Sequence, residues 1–166
     1  MSSPPQDEIA ALVNLYHSGQ MIKAEQACRE LLNTYPQTLV AINVLGATLQ
    51  GQGKLQEAVQ AYNKAIQLNP DYAVAHYNLG NTLQELGRSK DAEASYRKAI
   101  ALKSDFAEAH SNLGITLQEL GRSKDAEASY RKAIALKSDY AEAHYNLGNT
   151  LQELGRLKDA EASYRK

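Results

Sequence analysis

The chain repeats itself with a period of 34 residues, and this constrains its fold more than any other feature of the sequence. Displaced by 34, Thr82 to Asp105 coincides with Thr116 to Asp139 at every position. The same offset relates Gly19, Gly53, Gly87, Gly121 and Gly155, then Gly46, Gly80, Gly114 and Gly148, then Ala24, Ala58, Ala92, Ala126 and Ala160. A fixed period of this length marks a supersecondary unit that buries its apolar face by stacking on copies of itself. A four-helix bundle would not call for glycines at this interval. Five units follow, at residues 5–38, 39–72, 73–106, 107–140 and 141–166, the last incomplete, with residues 1–4 expected to be a disordered tail.

Each unit reads as two helices. In the third, Ala75, Leu79, Leu83 and Leu86 recur every three or four positions, the period of an amphipathic helix, termed helix A. Gly87 is expected to cap it in a left-handed conformation. Ala92, Tyr96, Ala99, Ile100 and Leu102 form the apolar stripe of helix B. Gly80 lets the two helices approach, and Tyr96 supplies the facing bulk. Asp105 precedes Glu108 by three residues, and Asp139 precedes Glu142 likewise, a spacing that predicts a capping box at the next helix A. After the last TLQELGRLKDAEASYRK the sequence stops where earlier copies continue with AIALKSD, so a fragment, or a last hairpin completed by a neighbour, is expected.

Gly at unit position 8, Ala at 20, Tyr at 24, Ala at 27 and Pro70 at 32 resemble the tetratricopeptide repeat. The resemblance spans about residues 5–166. It implies an all-α, right-handed superhelical solenoid of antiparallel hairpins, with helices A lining a concave groove that binds a peptide or partner protein. Departures are local. Ile42, His76, His110 and His144 stand where an aromatic is usual, Ser104 and Ser138 replace the proline, and the first unit has Leu12 and Cys28 at the Gly and Tyr positions.

The third and fourth units differ only by Val74 to Glu108, Tyr77 to Ser111, Asn81 to Ile115 and Phe106 to Tyr140. The first three pairs share one face of helix A, opposite Leu79 and Leu83. The equally surface-facing Lys90, Asp91, Glu93, Arg97 and Lys98 do not change, so the variation points to a binding face. Asn78, Asn112 and Asn146 recur in mid-helix, where asparagine costs roughly 0.5 kcal/mol relative to alanine. A carboxamide can pair with a peptide backbone through both donor and acceptor. The series resembles the asparagine ladder in the repeats of O-linked N-acetylglucosamine transferase. Tyr77, Tyr145, Asn81 and Asn149 flank it, Gln84, Gln118 and Gln152 continue the face, and Glu142 joins Glu108 at its edge. With no Lys or Arg at positions 2, 5, 6 or 9 of units two to five, the expected partner is a neutral or basic peptide rather than an acidic one.

No catalytic constellation, phosphate-cradling loop, cofactor motif or metal cluster is legible. His76, His110 and His144 fall one per repeat and are expected to pack between hairpins. Glu93 with Arg97, and Glu127 with Arg131, read as surface pairs. A net charge of -1 gives no general attraction to nucleic acid, and no apolar run suggests membrane insertion. The single Cys28 fits a reducing compartment, and the chain is expected to be cytoplasmic. The sequence thus predicts a non-enzymatic interaction scaffold. Two other expectations are a substrate-recognition arm of a larger enzyme, such as a glycosyltransferase or sulfotransferase, and self-association through repeat ends.

Overall fold

The computed structural model describes residues 4–165, so residues 1–3 of the expected tail lie outside the described residues, as does Lys166. Ten α-helices and no strands occur among the described residues: α1 (Gln6–His17), α2 (Met21–Thr34), α3 (Leu39–Gly51), α4 (Leu55–Leu68), α5 (Ala73–Glu85), α6 (Ser89–Leu102), α7 (Ala107–Glu119), α8 (Ser123–Leu136), α9 (Ala141–Glu153) and α10 (Leu157–Tyr164). The odd-numbered helices are helices A. From the second repeat onward each begins at the first residue of its repeat. The chain divides between Leu86 and Gly87 into two compact units, the first holding α1–α5 and the second α6–α10.

The turn between helices follows from its glycine. Gly121 adopts φ 73°, a left-handed conformation costly for other residues. This lets its N–H reach Gln118 O at 2.9 Å and the Arg122 N–H reach Leu117 O at 2.8 Å, satisfying two carbonyls that the helix end leaves open. Gly19, Gly53, Gly87 and Gly155 have φ between 71° and 75°, so each repeat turns in the same conformation.

A second glycine sets the spacing of each hairpin. In the first unit a Cβ on Gly46 would stand 2.6 Å from Cε1 of Tyr62, and in the second a Cβ on Gly114 would stand 2.6 Å from Cε1 of Tyr130. Both tyrosine side chains are fully buried. The first repeat fills the same space in reverse, with the larger Leu12 on helix A and the smaller Cys28 on helix B, both buried. Ile42, Ala65 and Ala75 form a core cluster in the first unit, where Leu32, Leu39, Ile66 and Tyr72 pack. In the second unit Ala109, Leu113, Leu117, Ala126 and Ala133 are buried.

In the last three repeats a histidine fastens helix A to the turn before it. His76 Nε2 donates to Pro70 O at 2.9 Å, His110 Nε2 to Ser104 O at 3.2 Å, and His144 Nε2 to Ser138 O at 2.9 Å. Because the acceptor is a backbone carbonyl, serine serves as well as proline at that position. Burial lowers the His110 pKa against the raising effect of the Ser104 bond, with Lys132 also lowering it.

The capping boxes are not formed. The residues at the N-cap of α7 and α9 are Phe106 and Tyr140, with no side-chain cap hydrogen bond. Asp105 and Asp139 sit one residue too early for their carboxylates to occupy the N-cap, so Glu108 and Glu142 have no capping-box partners.

The helix A face as a candidate peptide site

Charge is partitioned between the two helices of the repeat. The chain's 18 Lys and Arg residues all fall outside α1, α3, α5, α7 and α9, which instead carry Asp7, Glu8, Glu85, Glu108, Glu119, Glu142 and Glu153. On the helix B side arginines are held in relays through shared glutamates. Glu93 Oε1 receives Arg97 Nε at 2.9 Å and Arg122 Nη1 at 2.8 Å, and Arg122 also pairs with Asp125. Glu127 is held in the same way by Arg131 and Arg156. Burial alone would raise the pKa of Glu93 and Glu127, but the arginine hydrogen bonds outweigh it and the net shift is downward. Helical spacing identifies only the pairs four residues apart; the partner 29 residues on becomes a neighbour when hairpins stack.

In the first unit the helix A face opens into a cavity of about 590 Å³. Tyr16 and His17 of α1, Asn43 and Gln50 of α3, and Asn78, Asn81 and Glu85 of α5 give it its polar wall, with Tyr62 of α4 beneath. Asn78 Nδ2 donates to Asn43 Oδ1 at 3.1 Å, so one of its two N–H groups is spent on the neighbouring repeat. Tyr62 OH donates to Gln50 Oε1 at 3.3 Å, and Gln50 Nε2 donates in turn to Glu85 Oε1. Burial raises the Tyr62 pKa well above the usual phenol range, and the neighbouring Tyr16 and Glu85 add to the shift, so the phenol remains a donor.

Of the fifteen residues proposed from sequence, Asn78 and Asn81 line this cavity. Val74, Tyr77 and Gln84 lie on α5 outside its wall, Val74 being exposed. In the second unit Glu108, Ser111, Asn112, Ile115 and Gln118 lie on α7, and Glu142, Tyr145, Asn146, Asn149 and Gln152 on α9. Ser111 is not available to a ligand: it is fully buried, and its Oγ has no hydrogen-bond partner. Its side chain is too short to emerge where Tyr145, at the same repeat position, remains 60% exposed. Gln118 Oε1 accepts from Tyr130 OH at 2.6 Å, and Asn149 Oδ1 accepts from Tyr164 OH at 2.7 Å, with Gln152 Oε1 at 3.3 Å from the same hydroxyl. These amides are therefore positioned by helix B tyrosines and offer a ligand mainly their NH2 groups. The Tyr145 and Tyr164 rings stand 5.9 Å apart.

Tyr16, His17, Asn43 and Gln50 were absent from the sequence-based site. Asn43 occupies the same repeat position as the variable Tyr77 and Ser111, and carrying the comparison into the second repeat identifies it. Glu85 belongs to the series that continues through Glu119 and Glu153 at the far edge of the face.

Helical hairpins whose helices are joined by left-handed glycines, repeated every 34 residues and each with an uncharged-to-acidic helix A, define a helical-repeat protein. A family model described as TPR repeat matches residues 51–87 and 117–155, and two described as tetratricopeptide repeat match residues 73–106 and 95–128. The chain belongs to the tetratricopeptide repeat family.

Similar solved structures include MamA 41-end from Desulfovibrio magneticus RS-1, 20% identical, covering 96% of this chain and 92% of that one with a TM-score of 0.84. TTC0263, a thermophilic TPR protein in Thermus thermophilus, is 24% identical, with 96% and 88% covered and a TM-score of 0.77. YrrB, a TPR protein with an unusual peptide-binding site, is 20% identical, with 94% and 80% covered and a TM-score of 0.76. At these identities the likeness shows the fold. No curated protein matches the chain in sequence. Among the described residues no helix is long and apolar enough to cross a membrane.

Proposed function

We propose that this chain is a non-catalytic interaction scaffold that binds an extended, neutral or basic peptide segment of a partner protein along its helix A face. The observation that carries the reading is the exclusion of every Lys and Arg from the five helices A, beside the recurring Asn78, Asn112 and Asn146. Amides bind backbone without regard to side-chain sequence, and the carboxylates on the same helices disfavour acidic segments. The peptide-binding site named for YrrB lends support from a protein of the same fold. A cytoplasmic setting agrees with a lone cysteine that forms no disulfide.

The test is selection of ligands from a random peptide library on the wild-type chain, followed by affinity measurement on the Asn78→Ala, Asn112→Ala double variant. Selected peptides should be depleted in Asp and Glu and should lose affinity by about 1 kcal/mol per hydrogen bond removed, with helicity unchanged. Equal affinity for both proteins would remove the asparagines from the site.

A second reading, self-association, is favoured by Leu157. It is 66% exposed at the repeat position where Ser89 and Ser123 hydrogen-bond Glu119 and Glu153. Light scattering should then show concentration-dependent association that Leu157→Ser weakens; a monomer at every concentration would eliminate it.

A further inference from the structure

We infer that the cavity of the first unit is an anchor pocket for one arginine side chain of the bound peptide. This deepens the peptide-binding reading and rests on it. Among the described residues Glu85 is the only carboxylate on the cavity wall, and no Lys or Arg lines it. The ion pairs of the first unit's described residues engage Glu25 and Glu57 and leave Glu85 out. Its Oε1 receives the Gln50 amide, which is itself fixed by the Tyr62 hydroxyl, so the exposed carboxylate is oriented by a neutral relay and has no ion-pair partner among the described residues. A cation brought to this position completes the pairing.

The remaining wall chemistry selects among cations. Asn43, Asn78 and Asn81 add carboxamides to the wall that carries the carboxylate, and Tyr16 contributes an aromatic ring. A guanidinium has five donors and no acceptor, pairs with a carboxylate through two parallel N–H bonds, and stacks on aromatic rings. An ammonium offers three donors at a point, cannot pair bidentately and is more strongly hydrated. The space is ample: about 590 Å³ accommodates the side chain with the adjoining backbone, leaving the amides to the backbone itself. The pocket lies within α1, α3, α4 and α5, so the first unit alone supplies it.

The experiment titrates the full chain with four capped peptides, Ac-Gly-Ser-Ala-Ala-Xaa-Ala-Ala-Ser-Gly-NH2, where Xaa is arginine, lysine, citrulline or glutamate, and follows 15N–1H chemical shifts. Each is repeated on Glu85→Gln, and on Glu57→Gln as a control for net charge, because Glu57 lies on α4 paired to Arg29 and off the cavity wall. The arginine peptide is expected to bind at least tenfold more tightly than citrulline and several-fold more tightly than lysine, with shifts on α1, α3 and α5. Glu85→Gln should erase the preference for arginine over citrulline, and Glu57→Gln should preserve it. Equal binding of arginine and citrulline, or an arginine preference that survives Glu85→Gln, overturns the anchor and leaves the peptide groove standing. Failure of all four peptides to shift any helix A resonance overturns the anchor and counts against the groove reading together.

Discussion

Replacing Gly114 by alanine tests the packing rule that spaces each hairpin. The new methyl would lie 2.6 Å from Tyr130 Cε1 and 2.8 Å from Cδ1 and Cζ, against a ring with no exposed surface and therefore no free direction of retreat. Overpacking a dense core costs about 1–3 kcal/mol. Alanine in a helix interior returns roughly 1 kcal/mol relative to glycine, so the net loss should reach up to about 2 kcal/mol, or up to about 8 °C in Tm for a chain of this size. The assay is urea and thermal unfolding followed by far-ultraviolet circular dichroism. The first repeat indicates how the loss should be rescued, since Leu12 and Cys28 occupy the equivalent positions. Tyr130→Cys alone should cost about 3–5 kcal/mol through the cavity it leaves, whereas Gly114→Leu with Tyr130→Cys should recover at least about 1 kcal/mol beyond additivity. Stabilisation by Gly114→Ala, or strict additivity in the double variant, would refute the reasoning.

Three further outcomes are expected. Hydrogen bonds from Lys54 and Gln52, against a smaller opposing effect of burial, and with Arg29 adding to them, hold the Glu25 carboxyl at about 2, below its ordinary 4.5. The folded state thus binds this proton less tightly than the unfolded state, so the stabilisation is present above about pH 4.5 and drains away as the pH falls towards 2. Its charged partners, Lys54 and Arg29, are exposed, which limits it to about 1 kcal/mol; urea midpoints against pH should fall less steeply in Glu25→Gln than in the wild type. His110→Phe keeps a ring of similar size but orphans Ser104 O, and should lower the unfolding free energy by about 1 kcal/mol. An unchanged urea midpoint would show that the bond contributes nothing. Gly121→Ala forces a Cβ into φ 73° and should cost about 1 kcal/mol, read from the same unfolding curves.

The fold was legible because period and residue type act together. Gly87, Gly121 and their equivalents fix the turns, Gly114 and Tyr130 fix the spacing, and the 34-residue offset multiplies both along the chain. The helix starts were legible in position but not in chemistry, since Asp105 and Asp139 stand one residue outside the N-cap. The site was legible as a face and only partly as residues. Periodicity assigns Ser111 and Tyr145 to the same surface, yet side-chain length leaves one buried and the other exposed. Contacts between stacked repeats, such as Asn78 with Asn43 and Gln50 with Glu85, link residues 35 apart and depend on how hairpins stack, which no local pattern records.

The central claim, that ligand recognition belongs to the helix A face, is tested most directly by the side-chain NH2 resonances of asparagine and glutamine in a 15N-labelled chain titrated with a library-selected peptide. The account predicts saturable shifts in the NH2 pairs of Asn78, Asn81, Asn112 and Asn146, with the amides of Gln60, Asn63 and Gln67 on α4 unmoved. Saturable shifts confined to the carboxamides of the helices B that carry them, Gln26 and Asn33 on α2 and Gln60, Asn63 and Gln67 on α4, with the helix A carboxamides unmoved, would contradict it.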